Sequence, residues 1–196
     1  MIEPWIAGRG VGFYFFFFLI LTFMLIHTHK KLDTFLYVWG CFSILATFKG
    51  FVQMAFGVDY AEQAWLDNGG AETHVLFGKL RVFSFFSDAG QFGGNQGYAG
   101  VVFMIYSMSK KGIQKVFFIT VGLLGFYGMM ISGTRGSIAV PFAGLMTFFV
   151  LRKNVKVLSA GVIFVALIFV FFKYTTIGNG NYQIRRMRTG FDPNNP

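Results

Sequence analysis

Residues Ile113-Gln-Lys-Val-Phe-Phe-Ile-Thr-Val-Gly-Leu-Leu-Gly-Phe-Tyr-Gly-Met-Met-Ile131 run straight into Ser132-Gly-Thr-Arg-Gly-Ser137, and a second apolar run, Ser137–Leu151, follows at once. A helix that crosses a bilayer takes about 20 mainly apolar residues. Ile113–Ile131 therefore reads as a span, joined to the next by a turn with almost no spacer. Working outward, further spans read near Val11–His27, Thr34–Phe56, Tyr98–Ser109 and Val155–Phe172. Tyr98–Ser109 and Ser137–Leu151 are short and are expected to extend into their glycine-containing flanks. The expected fold is all-α: a polytopic transmembrane bundle of about six spans, forming a single transmembrane domain over residues 1–196.

Composition supports this. Hydrophobic residues make up 55% of the chain, charged residues only 13%, and mean hydropathy is +0.58. That is more apolar surface than a globule of this size can hide. Phe runs such as Phe15–Phe18, Phe148–Phe149 and Phe171–Phe172 suit lipid, not water. The net charge of +9 sits largely in short clusters between apolar stretches, a placement that fits topology-setting loops better than a nucleic-acid surface. Cys41 is the single cysteine, which excludes an internal disulfide or a cysteine-based metal cluster. The first apolar run lacks a basic start and a small-residue cleavage site, so it reads as a retained helix and not a signal peptide.

The short links His29-Lys30-Lys31, Lys110-Lys111 with Lys115, and Arg152-Lys153 with Lys156 fall on one side if the spans alternate, which marks that side as cytoplasmic. The opposite face then receives a loop over residues 58–97, the Ser132–Gly136 turn, and the start of a further outer loop over residues 174–196. The turn-rich Asp192-Pro-Asn-Asn-Pro196 suggests a tail that leads onward, so the chain is expected to be part of a longer protein.

Two segments on that face carry candidate chemistry. The first is Gly78-Lys-Leu-Arg-Val-Phe-Ser-Phe-Phe-Ser-Asp-Ala-Gly-Gln-Phe-Gly-Gly-Asn95. Glycines let backbone approach a ligand closely, and the planar fork of Arg81 matches phosphate oxygens. Lys79, Asp88 and Asn95 are supporting candidates, with Asp88 able to orient the arginine. The alternative is an interfacial loop whose arginine touches lipid headgroups. The second segment is the Ser132–Ser137 turn. A tight turn calls for glycine but not for an arginine between hydroxyls. At membrane depth an unpaired Arg135 costs about 2.5–3.5 kcal/mol, so an anionic partner is the economical explanation, with Ser132 and Thr134 beside it. Snorkelling to headgroups is the bland alternative.

Lys49 interrupts the second apolar run in the outer part of the hydrocarbon. It is either a structural snorkeller or a ligand, with Gln53 one turn on along the same face. In the tail, Arg185, Arg186 and Arg188 stand beside Tyr182 and Phe191, and either phosphate or glycan contact or headgroup binding suits them. The three histidines show no metal-ligand spacing, and His74, alone in the outer loop, reads as solvated, with a general-base role as the alternative.

Arg81 followed by Ser-Asp-Ala-Gly-Gln-Phe-Gly-Gly-Asn, and then a helix pair joined by Ser-Gly-Thr-Arg-Gly, resembles the O-antigen ligase and polymerase family. Gly190-Phe-Asp-Pro-Asn194, after a Met-Arg pair, is similar to the entry into that family's large periplasmic loop. The resemblance covers roughly residues 59–196. It implies a GT-C-like, all-helical glycosyltransferase of the bacterial inner membrane, multi-pass, with its active face in the periplasm. Such an enzyme takes a glycan from an undecaprenyl-pyrophosphate carrier and passes it to lipid A–core or to a growing glycan, without nucleotide sugar, metal or other cofactor. By position, Arg81 and Arg135 match the arginines that hold the carrier pyrophosphate. The family's catalytic histidine belongs to the large loop, beyond Pro196; His74 does not match it. The chain alone is thus expected to bind donor without turnover. A transporter or flippase of an anionic lipid or solute is the competing expectation, since it too would want membrane-embedded arginines.

Overall fold

A computed structural model describes residues 2–76, 78–152, 163, 166–167, 170–171, 173–177, 180 and 182–189. The chain divides into two compact units, Met1–Trp39 and Gly40–Pro196. The first holds helix α1, Ile2–Leu25, and the start of α2, His29–Phe56. Thr28 opens α2: its hydroxyl accepts from Lys31 N–H at 3.3 Å and its carbonyl from Leu32 N–H at 3.0 Å, satisfying donors that a first turn leaves orphaned. Phe16, Phe18 and Phe23 of α1 are exposed, as are Phe35 and Val38 of α2.

The second unit continues α2 and adds α3, Tyr60–Trp65, a π-helical turn Leu66–Gly70, and α4, Ala71–His74. A two-residue hairpin follows, β1 Val75–Leu76 against β2 Lys79–Leu80, antiparallel with Val75 opposite Leu80. Helix α5, Ala89–Ser107, and α6, Gly112–Ile131, come next. A 3₁₀ turn, Arg135–Ile138, leads into α7, Ala139–Leu151, and α8 covers Tyr182–Thr189.

Helices α5 and α6 meet at backbone distance. A Cβ built on Gly125 would lie 2.8 Å from both the Gln96 carbonyl oxygen and the Gly100 nitrogen, and one on Gly100 would lie 2.7 Å from the Phe126 ring. Such close approach through small residues lets helices associate where the surroundings are as apolar as their own side chains. Helix α7 packs on the same partner, with Gly144 facing Val101 and Pro141 facing Gly97. A buried polar knot adds direction: Ser43 Oγ donates to Gln96 Oε1 at 2.8 Å, and Thr47 Oγ1 donates to the Leu124 carbonyl at 3.2 Å.

Among the described residues the helices largely follow the predicted spans; α1, α2 and α5 start earlier, whereas α7 starts at Ala139, after Ser137. Helix α5 begins at Ala89, not near Tyr98, because Asp88 caps it through the N–H groups of Gly90 and Gln91. The loop predicted over residues 58–97 thus ends at Asp88, and short helices and a hairpin order most of it. Among the described residues, two helices, His29–Phe56 and Gly112–Ile131, are long and apolar enough to cross a membrane, while Gly12–Leu25 and Arg135–Leu151 are shorter apolar stretches. Helix α5 has the length, but Gln91, Asn95 and Gln96 dilute its first half. The predicted span Val155–Phe172 falls mostly outside the described residues, as does the tail segment at residues 190–196.

Candidate functional site

The site grows from the hairpin. Gly78, at φ 72°, is part of the reversal between the strands, and the Arg81 backbone N–H then donates to the His74 carbonyl at 2.7 Å. This registers Arg81 beside the end of α4. Its guanidinium donates through Nη1 to the Thr73 carbonyl and through Nη2 to Thr134 Oγ1, each at 3.0 Å. Thr134 stands 53 positions further on in the Ser132–Ser137 turn. The two arginine-bearing segments are therefore neighbours in space.

Residues after Arg81 lock the segment down. Val82 packs with Ala46, Phe92 and Ile131, whereas Phe83 packs with Leu66 and Ala89. Ser84 adopts φ 56°, and its hydroxyl donates to the Ala46 carbonyl at 2.6 Å. The turn itself is received by glycines of α5. A Cβ on Gly93 would fall 2.3 Å from Ser132 Oγ and 2.5 Å from Ser137 Oγ, and one on Gly90 would lie 3.6 Å from Thr134 Cγ2. Ser132 is buried; its hydroxyl donates to the Met129 carbonyl at 2.7 Å and accepts from Thr134 N–H at 3.3 Å.

Arg135 is exposed and makes no hydrogen bond or ion pair among the described residues. Asn95 is also exposed, on α5, and Lys79 is exposed on β2. Asp88 caps α5 through Oδ1, and its Oδ2 lies 3.8 Å from His74 Nε2. Lys49 is held by two carboxylates, Asp59 Oδ2 at 2.9 Å and Glu62 Oε1 at 3.0 Å, which gives it a structural role. Arg188 binds the carbonyls of Thr175 and Ile177 and stacks over Phe171, so protein atoms engage it as well. Arg185 is exposed on α8.

His74 differs from its expected solvation. It is 3% exposed, edge-on to Trp65 at 4.9 Å and to Phe83 at 5.1 Å, with Nδ1 3.0 Å from the Gly70 carbonyl oxygen. Trp65 of α3 and Phe83, after the hairpin, cover its ring, and a lone histidine in a polar stretch gives no hint of that. Nothing local in the sequence sets Arg186 apart from its neighbours, yet its Cδ lies 3.7 Å from where a Gly133 Cβ would stand, which puts this arginine at the turn. Asp59 anchors the far end of the network. The Glu62 backbone N–H and then the Lys49 ammonium hold its carboxyl below the usual carboxylate value.

Chemically, the site offers one guanidinium fixed by protein oxygens and, next to its partner threonine, a second that reaches outward. Planar cations of this kind suit phosphate oxygens. Among the described residues, no three His, Cys, Asp or Glu side chains gather as a metal ion would require. No protein-family model matches the chain, and no curated protein or solved structure matches it.

Proposed function

We propose that this chain is the donor-binding part of an inner-membrane glycosyltransferase of the O-antigen ligase or polymerase type. In this reading about six helices cross the bilayer in a GT-C-like bundle, and the site opens to the periplasm. The donor is a glycan on undecaprenyl pyrophosphate; the acceptor is lipid A–core or a growing glycan. One observation carries the reading: Arg81 Nη2 donates to Thr134 Oγ1 at 3.0 Å, which joins the two arginine segments. Had they lain apart, no diphosphate could have engaged both.

The mechanism follows from charge. Breaking the sugar–pyrophosphate bond builds negative charge on the leaving diphosphate, and guanidinium groups fixed before the reaction stabilise it with no reorganisation. Arg81 is so fixed, through Thr73 and Thr134. Arg135, exposed and next in sequence to the Thr134 that Arg81 holds, closes on the same group in this reading. A base on the acceptor hydroxyl completes the transfer. The polyprenyl tail lies in the bilayer against apolar helices, which fits the exposed Phe, Leu and Val side chains of α2 and α6.

Lysine at either position keeps the charge and loses the fork. In the full-length protein, Arg81→Lys and Arg135→Lys should each lower glycan transfer from the undecaprenyl-pyrophosphate carrier by about tenfold or more, with protein levels unchanged. Normal transfer in both variants would remove the diphosphate clamp.

A further inference from the structure

We infer that Gln53 is a positioning residue: from α2 it fixes the backbone segment that carries Arg81 to the Ser132–Ser137 turn. The inference deepens the proposed function and rests on the diphosphate reading of that turn.

A carboxamide has two N–H donors and an oxygen with two lone pairs. Gln53 uses all of them while only 2% exposed. Its Nε2 donates to Glu62 Oε1 at 2.8 Å and to the Ser84 carbonyl at 3.3 Å. Its Oε1 accepts from Ser84 N–H at 2.8 Å and from Phe83 N–H at 3.3 Å. Both backbone groups of Ser84 are thus held by one side chain. Ser84 needs this support, since φ 56° is a left-handed conformation uncommon outside glycine.

The surrounding face of α2 is shaped to match. Ala46, Gly50 and Gln53 recur at helical spacing on one side of the helix. The Ala46 carbonyl takes the Ser84 hydroxyl, and Gly50 has no side chain where a Cβ would meet Val82 Cγ1 at 3.1 Å and Phe92 Cζ at 2.8 Å. The face is flat in the middle and hydrogen-bonded at both ends. Glu62 extends the bracing: its Oε2 accepts from Asp59 N–H at 2.9 Å, and its Oε1 lies 3.0 Å from Lys49 Nζ. Arg81 is three residues before Ser84, so a slip of this seat moves the guanidinium away from Thr134.

The test uses full-length protein in detergent micelles, farnesyl diphosphate as a short polyprenyl diphosphate probe, and hydrogen exchange over residues 82–86. In Gln53→Leu, exchange in that segment should quicken and probe affinity should fall about tenfold. In an Arg81→Lys background the same change should cost about twofold or less, because the residue acts through Arg81. Gln53→Met keeps the length of the side chain but lacks the amide's donors and its strong acceptor, so it should repeat the leucine result and serves if the leucine variant does not fold. Unchanged exchange at 82–86 would overturn the seat. Quickened exchange with unchanged affinity, or an equal loss in the Arg81→Lys background, would overturn positioning. Normal probe binding in Arg81→Lys and Arg135→Lys would instead overturn the diphosphate reading and positioning with it, while exchange at 82–86 still reports on the seat itself.

Discussion

Arg81 and Arg135 belong to neighbouring segments, yet the protein treats them in opposite ways. Arg81 is half-buried, with its guanidinium bonded to Thr73 and Thr134. Arg135 is exposed and bonded to nothing among the described residues. The difference teaches that the two cations are not equivalent halves of a clamp. One has its geometry set by the fold, and the other takes its geometry from whatever it meets. Removing the first should therefore disturb the fold, and removing the second should leave the fold intact.

The largest expected effect comes from a change that strikes both at once. Gly93→Ala puts a Cβ 2.3 Å from Ser132 Oγ, where buried groups leave it no room. It should displace the turn and lower unfolding stability by about 1–3 kcal/mol, the usual scale of overpacking, read from thermal unfolding in detergent. A midpoint equal to wild type would mean that the turn does not rest on α5. Next come the arginines themselves. Arg81→Ala should cost about 1–2 kcal/mol by the same measurement, because charge-assisted hydrogen bonds to Thr73 and Thr134 are lost. Arg135→Ala should stay within about 0.5 kcal/mol while still weakening farnesyl diphosphate binding. Equal stability losses in the two variants would break the contrast.

The smallest effect is a pH dependence confined to the Arg81 side. Asp59 has its carboxyl held below the usual value near 3.8, first by the Glu62 N–H and then by Lys49. A carboxyl depressed in the folded state adds stability above its unfolded value and loses it as pH falls through the folded one. Wild type should therefore show a shallow acid-side decline in thermal midpoint below about pH 4 that Asp59→Asn lacks. The change in slope should be small, since Asp59 is exposed to solvent.

Much of the helical skeleton could be read from the sequence, because apolar runs bounded by basic or glycine-bearing links have few other readings. The start of α5 could not. Gly90, Gly93, Gly94 and Gly97 look like loop residues, since glycine weakens a helix. The use of Gly93 and Gly97 appears only once Ser132, Ser137 and Met129 are seen filling the space beside them. The Asp88 cap was the available signal, but the residue read more readily as a partner for Arg81. The meeting of Arg81 with Thr134 joins positions that no local pattern links, and the same holds for Arg186 beside Gly133. Lys49 was legible as an anomaly in an apolar run. Its two carboxylates lie beyond the end of its helix, brought back by the Asp59–Glu62 capping box.

The contact between Gly100 and Gly125 has a consequence for the two arginine segments beside it. With backbone against backbone and no flexible side chain between them, α5 and α6 cannot ratchet past one another without collision. The Ser132–Ser137 turn continues from one of these helices, and Arg81 lies just ahead of the other. Packing far from either arginine therefore holds both segments in register, and a bulkier residue at Gly100 or Gly125 would be felt at each of them.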